Sequence, residues 1–312
     1  MNGEIMDNLK DFIDKIKSNK SDNVIRIYFS RKSNSHTLKY VTHNPAISEE
    51  VQNEVFNIVF PYVDKQLDSL ELVDYNPLGV IDGELEKIST DDIPLYHDFL
   101  NSIKDENLNK ELSSLRIEKI DFYCIEISHD GKTIYMFRQF QKLKKLRRGF
   151  LTRIIDNELN VIENDFLGID ELIDMLVYED KIYLFNHISL ERVFSYRDEF
   201  LKKTNEALGE ILTKNVISNI EQFADDCRND IRVMKRFTNI MTKERLPLFF
   251  ENYDKVPEIV AELELDLEFD EDGKIIYRER SQLFHVINLL SDAYFKSLLA
   301  QRTGVAKIEG EI

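Results

Sequence analysis

The sequence has 312 residues, of which 43% are hydrophobic and 32% are charged, and its formal net charge is −17. This composition is typical of a globular protein and excludes a disordered one. No window approaches the roughly 18 to 20 uninterrupted apolar residues that span a bilayer, and residues 1–12 lack the basic-then-apolar order of a signal peptide. Cys124 and Cys227 are the only cysteines, which suits a reducing compartment. We therefore expect a cytoplasmic protein that meets a membrane only through a partner.

Residues 1–115 are predicted to form a small mixed α/β domain. Runs rich in β-branched or aromatic side chains predict strands at 24–29, 37–41 and 70–73. Ser48 occupies the position of an N-cap, and the apolar residues that follow it recur at helical spacing. Pro94, after two aspartates, opens a further helix that ends near residue 103. The polar stretch 104–114 is the predicted domain boundary.

Residues 116–312 are predicted to form a second domain. Asp130-Gly131 stands between two strand-like runs, 120–127 and 133–140, and this arrangement is a strong short-range sign of a β-hairpin. Asp272-Gly273 predicts a second hairpin in the same way. Further strands are predicted at 159–162 and 181–185, and helices at 189–203, 205–213, 216–241 and 281–299. The predicted fold class is α/β to α+β, with mixed or antiparallel sheets, hairpins, and helices concentrated in the C-terminal half.

One segment of the second domain is strongly basic. Residues 131–155 include no Asp or Glu, although the chain has 58 of them, and they include eight Lys and Arg residues. The net charge of −17 includes these eight cations, so the rest of the chain carries −25. Phosphate binding requires clustered cations, because the counterions released from each neutralised phosphate add up and Arg grips phosphate oxygens in pairs. We predict a DNA contact made by Arg138, Lys142, Lys144, Lys145, Arg147, Arg148 and Arg153. The competing interpretation is a solvated basic turn that pairs with this protein's own acidic surface.

A second basic cluster lies further along the chain. Arg228, Arg232, Lys235 and Arg236 follow at i, i+4, i+7 and i+8, which is the spacing of one face of a helix. They form a predicted secondary basic face. Aspartates at 225, 226 and 230 are close enough for local ion pairs, which favours a structural interpretation of this face.

No motif predicts catalysis, a bound metal or a cofactor. Gly131-Lys132-Thr133 lacks the earlier glycine of a phosphate-binding loop, because Glu126 occupies that position. The six histidines are scattered, with no paired helical spacing and no cysteine near them. Two alternatives to a DNA-binding module stay open. One is a metal-dependent nuclease built around Asp121 and Glu126 with Lys132 beside them, and the other is a non-catalytic scaffold whose basic segment binds another protein.

Several stretches of the second domain form a recognisable series. They are FYCIE at 122–126, IYMFR at 134–138, KLKK at 142–145, DKIYLFN at 180–186, LERVF at 190–194, the hairpin 269–276, and LLSDAY at 289–294. In this series residues 116–312 resemble the B component of the Kiwa anti-phage defence system, over about two thirds of the chain.

The resemblance implies a DNA-binding effector that assembles as a dimer and docks on a small multi-pass membrane protein, the Kiwa A component. On this basis we expect an anti-phage protein that binds phage DNA in double-stranded form, without sequence preference, and obstructs its replication or expression. The basic segment is where this contact is expected. We further expect a homodimer without a cofactor, recruited to the inner membrane by its partner.

Overall fold

The computed structural model describes residues 2–35, 37–108, 119–140, 152–155, 158–161, 168–297, 299 and 302–306, without the side chains of 2–5, 69, 152–155 and 158–161. The chain divides into two compact units. Unit 1 consists of Met1–Tyr75 and Ile81–Ser195, and unit 2 consists of Asn76–Val80 and Tyr196–Ile312.

Unit 1 is built on a large mixed sheet. Its strands are β1 (Val24–Lys32), β2 (Tyr40–His43), β3 (Glu71–Asp74), β4 (Glu84–Ser89), β5 (Phe122–His129), β6 (Lys132–Gln139), β9 (Met175–Tyr178) and β10 (Lys181–Leu184). In the described part of the chain these eight strands have the order β2-β1-β5-β6-β9-β10-β4-β3. Only the edge pair β3–β4 is parallel among these neighbours. Between β6 and β9 in the chain, β7 (Thr152–Ile155) and β8 (Glu158–Val161) form a separate antiparallel ribbon.

The hairpin of β5 and β6 confirms the prediction from Asp130-Gly131. His129 pairs with Lys132, so the turn has two residues. Asp130 has φ 49° and Gly131 has φ 76°. Positive φ at both central positions is the requirement of a type I′ turn, whose twist matches that of the strands it joins.

Helices cover both faces of this sheet. They are α1 (Asn2–Ser18), α2 (Glu49–Glu54), which continues through a π-helical turn (Val55–Val59) into α3 (Phe60–Ser69), α4 (Pro94–Ser102) and α5 (Ser189–Phe194). Side chains of α1 and α3 share a core with Ile125 and Ile127 of β5. On the opposite face Phe122 packs against Phe99 of α4 and Phe194 of α5. Both faces are therefore apolar, and each buried aromatic ring contributes about 1.5 to 3 kcal/mol.

The predicted boundary at residue 115 is wrong. β1 pairs with β5 along seven residues, from Val24–Ser128 to Ser30–Phe122. β4 pairs with β10, which lies about ninety residues further along the chain. The backbone hydrogen bonds of the first predicted domain are thus completed by strands of the second, and one sheet contains both. Contacts divide the chain at Ser195 instead.

Unit 2 is mainly helical, as predicted for the C-terminal half. Its helices are α6 (Arg197–Lys214), α7 (Ile220–Arg228), α8 (Ile231–Thr242), α9 (Arg245–Glu251), α10 (Val256–Glu262) and α11 (Leu283–Leu290). Its strands are β11 (Ile217–Ser218), β12 (Glu268–Phe269), β13 (Ile275–Ile276), β14 (Tyr294–Lys296) and β15 (Thr303–Val305). The predicted second hairpin is present as β12 and β13, with β11 parallel to β13. The last predicted helix is wrong beyond Leu290, where the chain enters β14 instead. Among the described residues, no helix is both long and apolar enough to cross a bilayer.

Candidate nucleic-acid interface

The basic segment begins on β6 and continues into the connection between β6 and β9. Lys142, Lys144, Lys145, Arg147 and Arg148 lie outside the described residues. Arg153 lies on β7, where its backbone pairs with that of Asn160 on β8, and its side chain is outside the described part. The β7–β8 ribbon therefore includes one of the predicted DNA contacts in its first strand.

Arg138 has a different environment from the one predicted. It is the penultimate residue of β6, and its side chain is only 8% exposed. Its Nη1 donates to Oδ1 of Asp174 at 2.9 Å. Its Nε and Nη2 donate to the two carboxylate oxygens of Asp170 at 3.1 and 2.8 Å. Burial opposes the charge of Arg138, but the hydrogen bonds and charges of the two aspartates outweigh it and raise the pKa of the guanidinium.

This ion-pair network joins the two ends of the β6–β9 connection. Asp174, 2% exposed, also accepts from the backbone N–H of Gln139 at 2.6 Å and from Nδ2 of Asn186 at 3.2 Å. Asp170 accepts from the Tyr123 hydroxyl at 3.4 Å. The residues where the chain leaves the sheet are thus tied to those where it returns. The network therefore stabilises the end of β6 and the residues that precede β9.

The placement of Arg138 argues against its predicted role in DNA binding. All three of its nitrogens donate to carboxylates, and a phosphate would have to displace a bidentate partner in a buried site. Buried charges are retained only when they are paired, and the loss of one partner leaves an uncompensated charge. We therefore assign Arg138 a structural role, in which it holds the end of β6 to the residues that precede β9.

The predicted secondary basic face is not one face of one helix. The helical conformation is interrupted between α7 and α8. Asp230 has extended backbone there, and its carboxylate caps α8 by accepting from the N–H of Arg232 at 3.0 Å. Arg228 ends α7, where it donates to Asn205 and Asp225. The prediction that Arg228 shares one helix face with Arg232, Lys235 and Arg236 is therefore wrong.

Arg232, Lys235 and Arg236 do share α8. The guanidinium carbons of Arg232 and Arg236 lie 5.0 and 5.6 Å from the centre of the Phe284 ring on α11. Lys235 Nζ lies 5.6 Å from the centre of the Phe200 ring on α6. Cations at these distances from aromatic rings are held by cation–π attraction. Sequence patterns did not indicate Phe284, which follows Arg232 by more than fifty residues.

The carboxylates of the nuclease hypothesis do not form a site. Glu126 is 5% exposed, and its two oxygens accept from Nη1 of Arg26 at 2.9 Å and from the hydroxyl of Tyr28 at 2.7 Å. Asp121 accepts from the backbone N–H of Lys32 at 2.7 Å. Residues five apart on a strand point to opposite faces, roughly 16 Å apart. The carboxylates are therefore structural partners of neighbouring strands.

The described residues include no group of three or more His, Cys, Asp or Glu side chains arranged to hold a metal ion. Burial raises the pKa of both Cys124 and Cys227, so neither thiol has the character of a nucleophile. Lys132 donates to Glu179 at 3.0 Å and lies over the Tyr178 ring.

Comparison with known proteins assigns the chain to a family. Neither the curated proteins nor the solved structures include one that matches this chain. The family model described as Kiwa protein KwaB-like matches residues 117–300. The match covers more than half of the chain, and it includes the β5–β6 hairpin, the basic segment and the helices of unit 2. The chain therefore belongs to the Kiwa protein KwaB-like family.

Proposed function

We propose that this chain binds DNA without sequence preference through its basic segment, and that it obstructs phage DNA replication or expression. Membership of the Kiwa family supports a role in anti-phage defence. The observation that carries the DNA contact is the charge distribution, with eight cations and no acid in residues 131–155 of a chain whose net charge is −17. Charges more than about 8 Å apart are largely screened at physiological salt, so this segment attracts phosphate despite the acidic remainder.

The proposed contact leaves out two cations of the basic segment that are already paired within the protein. Arg138 forms ion pairs with Asp170 and Asp174, and Lys132 forms an ion pair with Glu179. The proposed contact consists of the remaining cations, which are Lys142, Lys144, Lys145, Arg147, Arg148 and Arg153. Lys and Arg side chains that contact phosphates do not read base edges, which is why we propose that the binding is independent of sequence.

Charge reversal of the segment tests this proposal. In one variant Lys142, Lys144, Lys145, Arg147 and Arg148 are replaced by Glu. In a matched control, five exposed lysines elsewhere are replaced by Glu, namely Lys15, Lys104, Lys119, Lys202 and Lys255. Both variants lose the same net charge, so a difference between them reports the location of the contact.

We expect the segment variant to give no gel shift with a double-stranded DNA fragment. The control is expected to bind within about tenfold of the wild type, because distant charges act only through a screened field. Circular dichroism establishes that both variants are folded. An unchanged gel shift from the folded segment variant would exclude the segment as the contact.

We also propose that the protein is a homodimer and that a multi-pass membrane partner, the Kiwa A component, recruits it to the inner membrane. Family membership supports a partner within the Kiwa system. The test is fractionation of cells that express this chain with or without the A component. The chain should enter the membrane fraction only with that partner, and an unchanged distribution would contradict the recruitment. Sedimentation equilibrium of the purified chain tests the homodimer.

A further inference from the structure

An exposed arginine cluster lies in unit 2 where α8 begins. The carboxylate of Asp230 accepts from Nε and Nη2 of Arg232 at 3.0 and 2.7 Å, and from Nη2 of Arg280 at 3.1 Å. Asp230 is 5% exposed, whereas the side chains of Arg232 and Arg280 are 69% and 57% exposed. The carboxylate of Asp230 is therefore buried, and the side chains of Arg232 and Arg280 are exposed at the surface.

The cluster has more positive than negative charge. Both Nη2 atoms contact the same oxygen of Asp230, so they are within about 6 Å of each other. One carboxylate neutralises only one of the two guanidinium groups. The side-chain hydrogen bonds from Arg232 hold the pKa of Asp230 below its usual range, so its charge is constant at neutral pH. Glu279, the acidic neighbour of Arg280, accepts from the Ser281 hydroxyl and caps the following helical turn.

The arginines also have hydrogen-bond capacity that the fold does not use. A guanidinium has five N–H donors. Among the described residues, Nη1 of Arg232 and both Nε and Nη1 of Arg280 have no acceptor. Two guanidinium groups within about 6 Å, oriented by a shared carboxylate and open to solvent, can donate together to the oxygens of one phosphate.

We propose that Arg232 and Arg280 form a second binding site for the DNA backbone, in which Asp230 orients the two guanidinium groups toward a phosphodiester. This inference rests on the proposed DNA binding and assigns unit 2 a part in it. The cluster is independent of the basic segment in sequence and belongs to the other compact unit.

The test removes two arginines and compares the result with a matched pair. One variant is Arg232→Gln with Arg280→Gln. The control is Arg278→Gln with Lys202→Gln, whose side chains are also exposed and pair with exposed or half-buried carboxylates. Both variants lose two positive charges from unit 2. Affinity for a 30-base-pair duplex is measured by fluorescence anisotropy at several salt concentrations.

We expect the cluster variant to bind about tenfold or more weakly and its log–log salt slope to flatten by about two units, one for each lost phosphate contact. The control should keep the wild-type slope. A purely structural role for the arginines would lower the melting temperature without a change in slope. If the double variant does not fold, Arg280→Gln alone removes one hydrogen bond to Asp230 and should flatten the slope by about one unit.

Two negative results have different meanings. If the folded cluster variant keeps the wild-type affinity and slope while charge reversal of the basic segment abolishes binding, the second site is wrong and the proposed function stands. If the wild-type chain binds no duplex at low salt, the proposed function is wrong and the second site with it.

Discussion

Two arginine–aspartate clusters in this protein have inverse composition. In unit 1 one arginine, Arg138, lies between two aspartates; Arg138 and Asp174 are buried, and the group has a net charge of −1. In unit 2 one aspartate, Asp230, lies between two arginines, and the group is exposed with a net charge of +1. The same pair of residue types thus serves a structural role in the first case, and in the second it presents N–H donors that have no acceptor among the described residues.

The comparison shows that the number of basic residues in a segment does not by itself tell which of them is available to a phosphate. Arg138 belongs to the most basic segment of the chain, yet its three guanidinium nitrogens donate to Asp170 and Asp174. Arg280 stands outside every basic run in the sequence, yet most of its donors face no acceptor among the described residues. Exposure and the ratio of donors to acceptors decide which cation is available to a phosphate.

The largest expected effect is the loss of Arg138. Arg138→Met leaves Asp170 and Asp174 as two adjacent carboxylates, one of them buried. Removing one partner of a buried ion pair costs about 3 to 5 kcal/mol of unfolding free energy. Urea denaturation followed by circular dichroism measures this cost. Arg26→Met is the control, since Arg26 is about half exposed and Tyr28 still donates to Glu126 in its absence. A cost below about 1 kcal/mol for Arg138→Met would contradict the structural role.

A smaller effect is expected at Asp230, with a definite pH dependence. Asp230→Ala removes the cap of α8 and the charged hydrogen bonds of two arginines, at a cost of about 2 kcal/mol at neutral pH. The pKa of Asp230 is lower in the folded protein than the unfolded value of about 3.9. Its contribution is therefore present above about pH 4 and lost as the pH falls through the folded pKa.

Chemical denaturation of the wild type and of Asp230→Ala at pH 7 and at pH 3 measures this dependence. The difference in unfolding free energy between the two proteins should be smaller at pH 3. A difference that is equal at both pH values would mean that the carboxylate does not carry the stabilisation.

The smallest effect on function is expected at the carboxylates of the nuclease hypothesis. Asp121→Ala and Glu126→Ala should change stability alone, because each side chain is a hydrogen-bond partner of β1. DNA affinity should stay within about twofold of the wild type, since neither residue is a cation that contacts phosphate. Incubation of plasmid with the wild type and Mg²⁺ or Mn²⁺ is the measurement. Metal-dependent cleavage that disappears in either variant would favour a nuclease over a binding module.

Local signals in the sequence predicted part of this fold. Asp130-Gly131 and Asp272-Gly273 correctly placed two hairpins, because their residues tolerate positive φ. The hairpin of β9 and β10 was not predicted, because Glu179 adopts φ 53° without glycine or asparagine at the turn. β4 was not predicted either, because its sequence ELEKIS is polar. Its Glu86 is buried and pairs with His187 at 2.7 Å.

The sequence predicted where the candidate site lies along the chain, but it did not predict the hydrogen-bond partners of the side chains. The acid-free window is visible in the sequence, but the partners of Arg138 are more than thirty residues away. Strand alternation gave no warning, because Arg138 shares a face with Ile134 and Met136 while the opposite face carries Phe137, and both faces of the sheet are covered. The interruption between α7 and α8 at Asp230 was not predictable either, because aspartate suits both an exposed helical position and an N-cap.

The central claim is a DNA contact made through phosphates by a basic segment. The most direct test is a titration of several unrelated duplexes with the wild-type chain between low and physiological salt. Five or six phosphate contacts predict a log–log slope of about −4 to −6 from the segment, shared by all the duplexes. The acidic remainder repels DNA less as salt rises, so it makes the measured slope shallower. Binding that is indifferent to salt, or one strongly preferred duplex, would contradict the account.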